Sequence, residues 1–168
     1  VMGMTAILGM FAGVYHWFPK LFGKVMNKRM GMIHFWVTIV CGYGVFLPMH
    51  FLGEGGLPRR YYENTNFPMF DHFLDLNILI SVFASIGVAA QLIFFFNFFY
   101  SVFSGQKASQ NPWQANTLEW TTPVEHVHGN WYGKIPTVYR WPYDFSKPGK
   151  EMDFVPQNVP LDDDEEEH

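Results

Sequence analysis

The stretch at residues 48–62 reads PMHFLGEGGLPRRYY and links two long apolar runs of the chain. Its glycines give the backbone freedom for a tight turn, and Pro58 fixes φ just before two adjacent arginines, Arg59 and Arg60. We therefore predict a structured loop at a membrane surface that presents two guanidinium groups. Chemistry alone leaves two interpretations open. The arginines either anchor lipid headgroups or bind a carboxylate or phosphate, which suits the guanidinium fork.

Three apolar runs predict an all-α membrane protein. They cover residues 1–18, 31–52 and 76–103, and none of them contains Asp, Glu, Lys or Arg. A membrane-spanning helix needs about 20 apolar residues, so the first run is just long enough and the other two are ample. Charged residues make up only 15% of the chain, against about 25% in soluble domains. The composition therefore excludes an ordinary soluble core for residues 1–104.

The charges between the runs predict how the helices are oriented. Residues 20–29 carry four cations and no acid, whereas residues 53–75 carry two arginines and four acids. Basic connectors stay on the cytoplasmic side, so we expect the Arg59/Arg60 loop on the outer side. Three spans then place the C-terminus in the cytoplasm.

Beyond residue 104 the sequence changes character. Seven prolines and four tryptophans interrupt residues 105–160, which predicts an extended segment on the inner face rather than an independent domain core. Residues 161–168 contain six consecutive acids and predict a disordered tail.

The histidines and the mild polar residues of the runs are the remaining chemical candidates. His16, His34, His50 and His72 lie in or beside the runs, where hydrogen-bonded structural histidines are favoured over functional ones. The pair His126 and His128 is only a weak metal motif. We interpret the polar residues of the runs as contacts between helices, namely Thr5, Thr38, Tyr43, Asn77, Ser81, Ser85, Gln91 and Asn97.

Four blocks occur in a specific order along the chain. They are HWFP at 16–19, HFLG at 50–53, PRRY at 58–61 and NPWQANTLEWT at 111–121. In this order and at these intervals, the sequence resembles subunit I of the bacterial, haem a type haem-copper cytochrome c oxidases. The resemblance covers residues 1 to about 145.

The resemblance implies a fold, a function and partners. The three runs would be the last three helices of a twelve-helix bundle in the bacterial inner (plasma) membrane. The whole enzyme would take electrons from cytochrome c, reduce O2 to water and pump protons, together with the rest of subunit I and other oxidase subunits. The alternatives are a quinol oxidase of the same family, or a membrane transporter or structural subunit without redox cofactors. We predict no nucleic-acid partner.

The resemblance also implies roles for five residues. Arg59 and Arg60 would bind the propionates of the two haems, and Phe46 would pack near haem a. Gly3 and Met49 stand where many relatives carry a serine and a glutamine near that haem. The His-x-His pair that holds the haem irons should lie just before Val1, and the copper ligands earlier still. We therefore expect no metal ligand and no catalytic residue in this segment, which would not be catalytic alone, and we expect that the front of the protein is missing.

Overall fold

A computed structural model describes residues 2–58, 60, 68–123, 130–131, 133–145 and 154–160. Three helices dominate it: α1 at Met2–Phe22, α2 at Lys28–Glu54 and α3 at Leu74–Ser104. A 3₁₀ segment at Pro68–Phe73 leads into α3. Two short strands, β1 at Lys24–Val25 and β2 at Gln106–Lys107, pair antiparallel. Arg59, the His126/His128 pair and the acidic tail at 161–168 lie outside the described residues.

Helices α2 and α3 pack as an antiparallel pair. Their contacts pair Asn27 with Asn97, His34 with Gln91 and Gly44 with Phe83, so position rises along one helix as it falls along the other. Close approach is built into this pair, because a Cβ added at Gly44 would lie 2.5 Å from the Phe83 ring.

Helix α1 packs against α2 in the same antiparallel sense. The ring of Phe11 meets His34 edge-on with centroids 4.8 Å apart, and a Cβ at Gly31 would lie 3.1 Å from the Tyr15 ring. Phe11 also contacts Phe94 of α3 at 4.5 Å between centroids. Residues 2–15 of α1 therefore join α2 and α3 in one compact unit that covers residues 1–15 and 26–105.

Two stretches of the described chain are long and apolar enough to cross a membrane. They are Lys28–Glu54 and Pro68–Ser104. In each of them, only 11% of an apolar stretch of 18 residues is buried inside the protein. A core helix of a soluble protein would be mostly buried, so these exposed apolar surfaces fit a membrane. The helices confirm a mainly helical fold, and two of them are candidate membrane spans. Helix α1 does not meet the same criterion of length and hydropathy, so the membrane span at residues 1–18 remains a prediction.

The end of α1 differs from the sequence-based expectation. The apolar run at 1–18 predicts a helix that ends near residue 18, but α1 continues to Phe22 with Pro19 inside it. Proline removes one backbone hydrogen bond and disturbs only the turn before it, so the last turn can still form. The helix ends instead at Gly23, whose φ of 65° is left-handed and whose N–H donates to the Pro19 carbonyl at 2.9 Å.

The polar residues of the runs divide into two groups. Asn97 exchanges two hydrogen bonds with the backbone of Asn27, and Gln91 bridges His34 and Thr38 of α2, as helix-to-helix contacts should. Three other polar residues of α3 donate to carbonyls of their own chain one turn earlier, so a contact with another helix remains a prediction for them. These are Asn77, Ser81 and Ser85. Each donates to the carbonyl four residues earlier, which satisfies the polar group without a second helix.

The described residues within 16–25 and 106–160 form a second compact unit. Phe18 and Trp120 are its most buried aromatic side chains, at 0% and 1% exposure. The indole of Trp120 stacks on Trp17 at 5.8 Å between centroids, and the Lys20 ammonium lies 5.5 Å from its ring. The Pro/Trp-rich segment thus has a core that it shares with the end of α1.

Candidate functional site

The glycine-rich turn after α2 forms a regular helix C-cap. Leu57 N–H donates to Leu52 O at 3.1 Å, and Gly56 N–H donates to Gly53 O at 3.1 Å. Gly56 has a φ of 83°, a left-handed conformation that favours glycine. This pair of bonds is the Schellman arrangement, in which two apolar residues, here Leu52 and Leu57, flank the cap. The cap fixes the direction in which the chain leaves α2 toward the arginines.

Close packing holds this turn against the start of α3. A Cβ added at Gly55 would lie 2.2 Å from Cζ of Phe73, so only glycine fits there. The following residues reach Arg60, which is exposed and has a φ of 60°. A left-handed arginine costs about 1–2 kcal/mol relative to the usual conformation. Such strain is retained where the surrounding structure needs the side chain in one direction.

A cleft of about 1030 Å³ opens beside this turn. Its walls come from the last turns of α2, the turn itself and the first turns of α3. The lining residues are Phe46, Met49, His50, Leu52, Gly53, Glu54, Leu57, Pro58, Arg60, Asn77 and Ile80. Apolar side chains form most of this wall, and cationic Arg60 lies on the same lining. A mainly apolar ligand that carries an anionic group suits this combination of apolar walls and a guanidinium.

One ionisable pair lies on the same cleft. His50 Nε2 is 3.2 Å from Glu54 Oε1, one helical turn apart, and the two side chains are 71% and 64% exposed. An exposed pair of this kind contributes little to stability. The spacing of four residues is enough to bring the two side chains together on one face of the helix. The lining at the C-terminal end of α2 therefore contains an imidazole, a carboxylate and the guanidinium of Arg60.

The structure brings together three of the five expected site residues. Phe46, Met49 and Arg60 line the same cleft. The side chain of Phe46 is 46% exposed and that of Met49 is 50% exposed. Gly3 lies on α1 and is not part of this lining, and a Cβ there would meet nothing within 4 Å. Arg59 falls outside the described residues. The assignment of all five to haem binding remains a prediction.

Sequence reasoning missed several lining residues. Asn77 and Ile80 come from α3 and join the cleft only through tertiary packing. The sequence alone could have indicated that His50 and Glu54 form a pair, because their spacing of four residues places them on one face of a helix.

Two of the described histidines, His34 and His16, contact side chains of distant residues. His34 is 2% exposed and its Nε2 lies 3.0 Å from Gln91 Oε1, which confirms the prediction of a hydrogen-bonded histidine there. His16 stacks on Trp113 at 5.9 Å between centroids. Among the described residues, no group of three or more His, Cys, Asp or Glu is arranged to hold a metal ion.

Comparison with known proteins identifies relatives along most of the chain. Residues 1–86 match the model of the family described as cytochrome c and quinol oxidase polypeptide I. The alternative cytochrome c oxidase subunit 1 of Bradyrhizobium diazoefficiens is 46% identical over 164 residues, which is 95% of this chain and 27% of that protein. The cytochrome c oxidase subunit 1 of Synechocystis is 39% identical over 145 residues, 86% of this chain and 25% of that protein.

A third relative gives the same picture. The cytochrome c oxidase subunit 1 of Thermostichus vulcanus is 37% identical over 141 residues, 83% of this chain and 24% of that protein. The chain therefore spans about a quarter of the length of the curated relatives that it matches.

Proposed function

Because the chain belongs to the cytochrome c and quinol oxidase polypeptide I family, we propose that it is part of the catalytic subunit of a respiratory terminal oxidase. The whole enzyme would reduce O2 to water with electrons from cytochrome c and pump protons. This part supplies three helices of the proposed twelve-helix bundle and a haem-facing cleft. Its partners are the rest of subunit I, other oxidase subunits and a cytochrome c donor.

The cleft at the end of α2 carries this proposal. It joins Phe46 and Met49 to Arg60 on one lining, and these three residues were expected around haem from the family resemblance. Its apolar walls suit the body of a macrocycle, and the guanidinium suits a propionate carboxylate. The residues present therefore fit haem binding at this site.

The residues of this chain would bind and orient the group rather than ligate its iron. Arg60, with Arg59, would donate charge-assisted hydrogen bonds to the propionate oxygens, each worth about 1.5–3 kcal/mol. Phe46 and Met49 would cover the apolar face and exclude water. When bound, haem supplies the one-electron chemistry, and nearby positive charge is one of the protein's means of tuning its potential.

The proposed orientation follows the charges of the connectors. The four cations in residues 20–29 favour the cytoplasmic side of a bacterial inner membrane for that connector. Helix α2 then crosses to the outer side, where the Arg59/Arg60 loop and the cleft lie. The family match favours the oxidase over a transporter or structural subunit without redox cofactors.

A variant of Arg60 in the complete oxidase tests the proposal. Positive charge stabilises reduced haem, so Arg60→Gln should lower the midpoint potential of one haem by tens of millivolts, since about 59 mV corresponds to 1.4 kcal/mol for one electron. Arg60→Lys keeps the charge and should lower it less. Arg29→Gln, at the opposite end of α2, is the matched control. Equal midpoints in Arg60→Gln and wild-type enzyme would refute the assignment.

The same preparation separates the two possible electron donors. Turnover with reduced cytochrome c supports the cytochrome c oxidase. Turnover with a quinol alone would replace it with the quinol oxidase of the same family.

A further inference from the structure

The cleft at the end of α2 contains two titratable groups that haem binding by Arg60 does not use. His50 Nε2 lies 3.2 Å from Glu54 Oε1, and both residues line the cleft together with Arg60. The two residues are four apart on one helix, so their contact requires only that α2 is helical there. Such a pair contributes little to stability, which leaves its effect on the charge of the lining.

The charge of this lining depends on whether the imidazole carries a proton. A guanidinium is always positive, and a carboxylate is negative near neutral pH. With a neutral imidazole at His50, the charges of Arg60 and Glu54 cancel. With an imidazolium, the lining carries one net positive charge. Histidine is the side chain that ordinarily changes charge in the physiological pH range.

The other elements around the cleft contribute no further titratable group from the described residues. Helix α3 contributes only Asn77 and Ile80 to the lining. The titratable residues of the 3₁₀ segment and of the first turn of α3 are not on it. These are Asp71, His72 and Asp75. Proton binding at the His50 imidazole is therefore the change that sets the sign of the charge of this lining near neutral pH.

We propose that His50 and Glu54 make the reduction potential of the haem held in this cleft depend on pH. Glu54 offsets the charge of Arg60, and a proton on His50 restores the net positive charge. One electron from the donor adds one negative charge in the cleft, which favours binding of a solvent proton to the imidazole. The coupling is reciprocal, so the proton raises the potential by the same factor by which the electron raises proton binding. This inference rests on the proposed function, because it requires haem in the cleft.

Spectroscopic redox titrations of the complete oxidase between about pH 6 and 9 test the coupling. The midpoint potential of one haem should fall as the pH rises, and His50→Gln should at least halve that slope. Glu54→Gln should raise the midpoint at the alkaline end, where the wild-type imidazole is neutral. His72→Gln and Asp75→Asn are the matched controls, since neither residue lines the cleft. Equal slopes in wild-type and His50→Gln enzyme, or an equal loss of slope in His72→Gln, would overturn the proposal.

Infrared difference spectra between oxidised and reduced enzyme give a second readout. In protein labelled with ¹⁵N-histidine, an isotope-sensitive imidazole band should be present in wild type and lost in His50→Gln. A band that survives in His50→Gln assigns the proton to another histidine and refutes the role of His50.

Arg60→Gln in the same preparations separates this inference from the proposed function. A lower midpoint in Arg60→Gln together with an unchanged pH slope in His50→Gln refutes the coupling alone. Absence of haem absorbance, or a midpoint that Arg60→Gln leaves unchanged, refutes the proposed function and the coupling with it.

Discussion

Replacing Asn97 with leucine tests whether buried amides fix the α2–α3 pair. Asn97 is 0% exposed; its Oδ1 accepts from Asn27 N–H at 3.0 Å, and its Nδ2 donates to Asn27 O at 3.1 Å. Leucine has the same number and branching of side-chain heavy atoms but makes neither bond. The backbone N–H of Asn27 then loses its partner immediately before α2 begins, whereas its C=O still accepts from Gly31 N–H at 3.0 Å.

The magnitude follows from these two hydrogen bonds. Bonds between membrane helices contribute about 0.6 kcal/mol on average and up to about 1.7 kcal/mol. A buried polar group that loses its partner costs about 1–3 kcal/mol. We therefore expect the free energy of local opening at the start of α2 to fall by about 1–3 kcal/mol. That change speeds amide exchange by about 5- to 150-fold.

Hydrogen exchange of the purified complex measures this opening. Peptides that span residues 24–32 report the amides of Asn27, Arg29 and Met30, the last two of which are capped by the Asn27 side chain. Asn77→Leu is the control, because Asn77 is an amide of the same helix that bonds only its own turn, to Phe73 O at 3.2 Å. Exchange within threefold of wild type in Asn97→Leu, or an equal increase at these peptides in the control, would refute the reasoning.

Three further predictions concern the turn and the second unit. Gly55→Ala should destabilise the turn by about 1–3 kcal/mol because its Cβ overlaps Phe73, whereas Gly53→Ala, with nothing within 4 Å, should be neutral or stabilising; thermal unfolding of the two variants compares them. Burial lowers the pKa of Lys20 below its ordinary 10.5, and Glu119 opposes this shift. The unfolded chain therefore binds more protons between the lowered pKa and 10.5, so stability should rise with pH across that window, and Lys20→Met should remove the slope in thermal melts followed by tryptophan fluorescence. Trp113→Phe removes only the indole bond to His16 O at 3.1 Å and should lower the melting temperature of this unit slightly, whereas Trp113→Ala should lower it clearly more.

Local signals predicted the helices well. The apolar run at 31–52 lies inside α2, whose observed bounds, Lys28–Glu54, are set by the Asn27 cap and the glycine cap that begins at Gly55. The run at 76–103 lies inside α3 in the same way. Length and hydropathy are properties of contiguous sequence, so they can be recognised without tertiary information.

The parts that sequence did not predict depend on distant contacts. The second unit is held by bonds such as Leu118 N–H to Gln157 Oε1 at 3.1 Å, which joins residues 39 positions apart. No periodic pattern marks such a bond. Asn77 joins the cleft for a similar reason, and the three site residues found there were expected from the family resemblance rather than from spacing.

The two ends of the α2–α3 pair are stabilised by different means, and this difference explains where the cleft lies. At the end near Asn97, side-chain amides satisfy the backbone between the helices. Toward the other end, Gly44 and Gly55 let the rings of Phe83 and Phe73 approach the backbone of α2. Glycine contacts of this kind bring backbones close without polar bonds, so they leave apolar walls. The cleft opens at this end of the pair, away from the bonds between Asn27 and Asn97, so occupation of the cleft need not break those bonds.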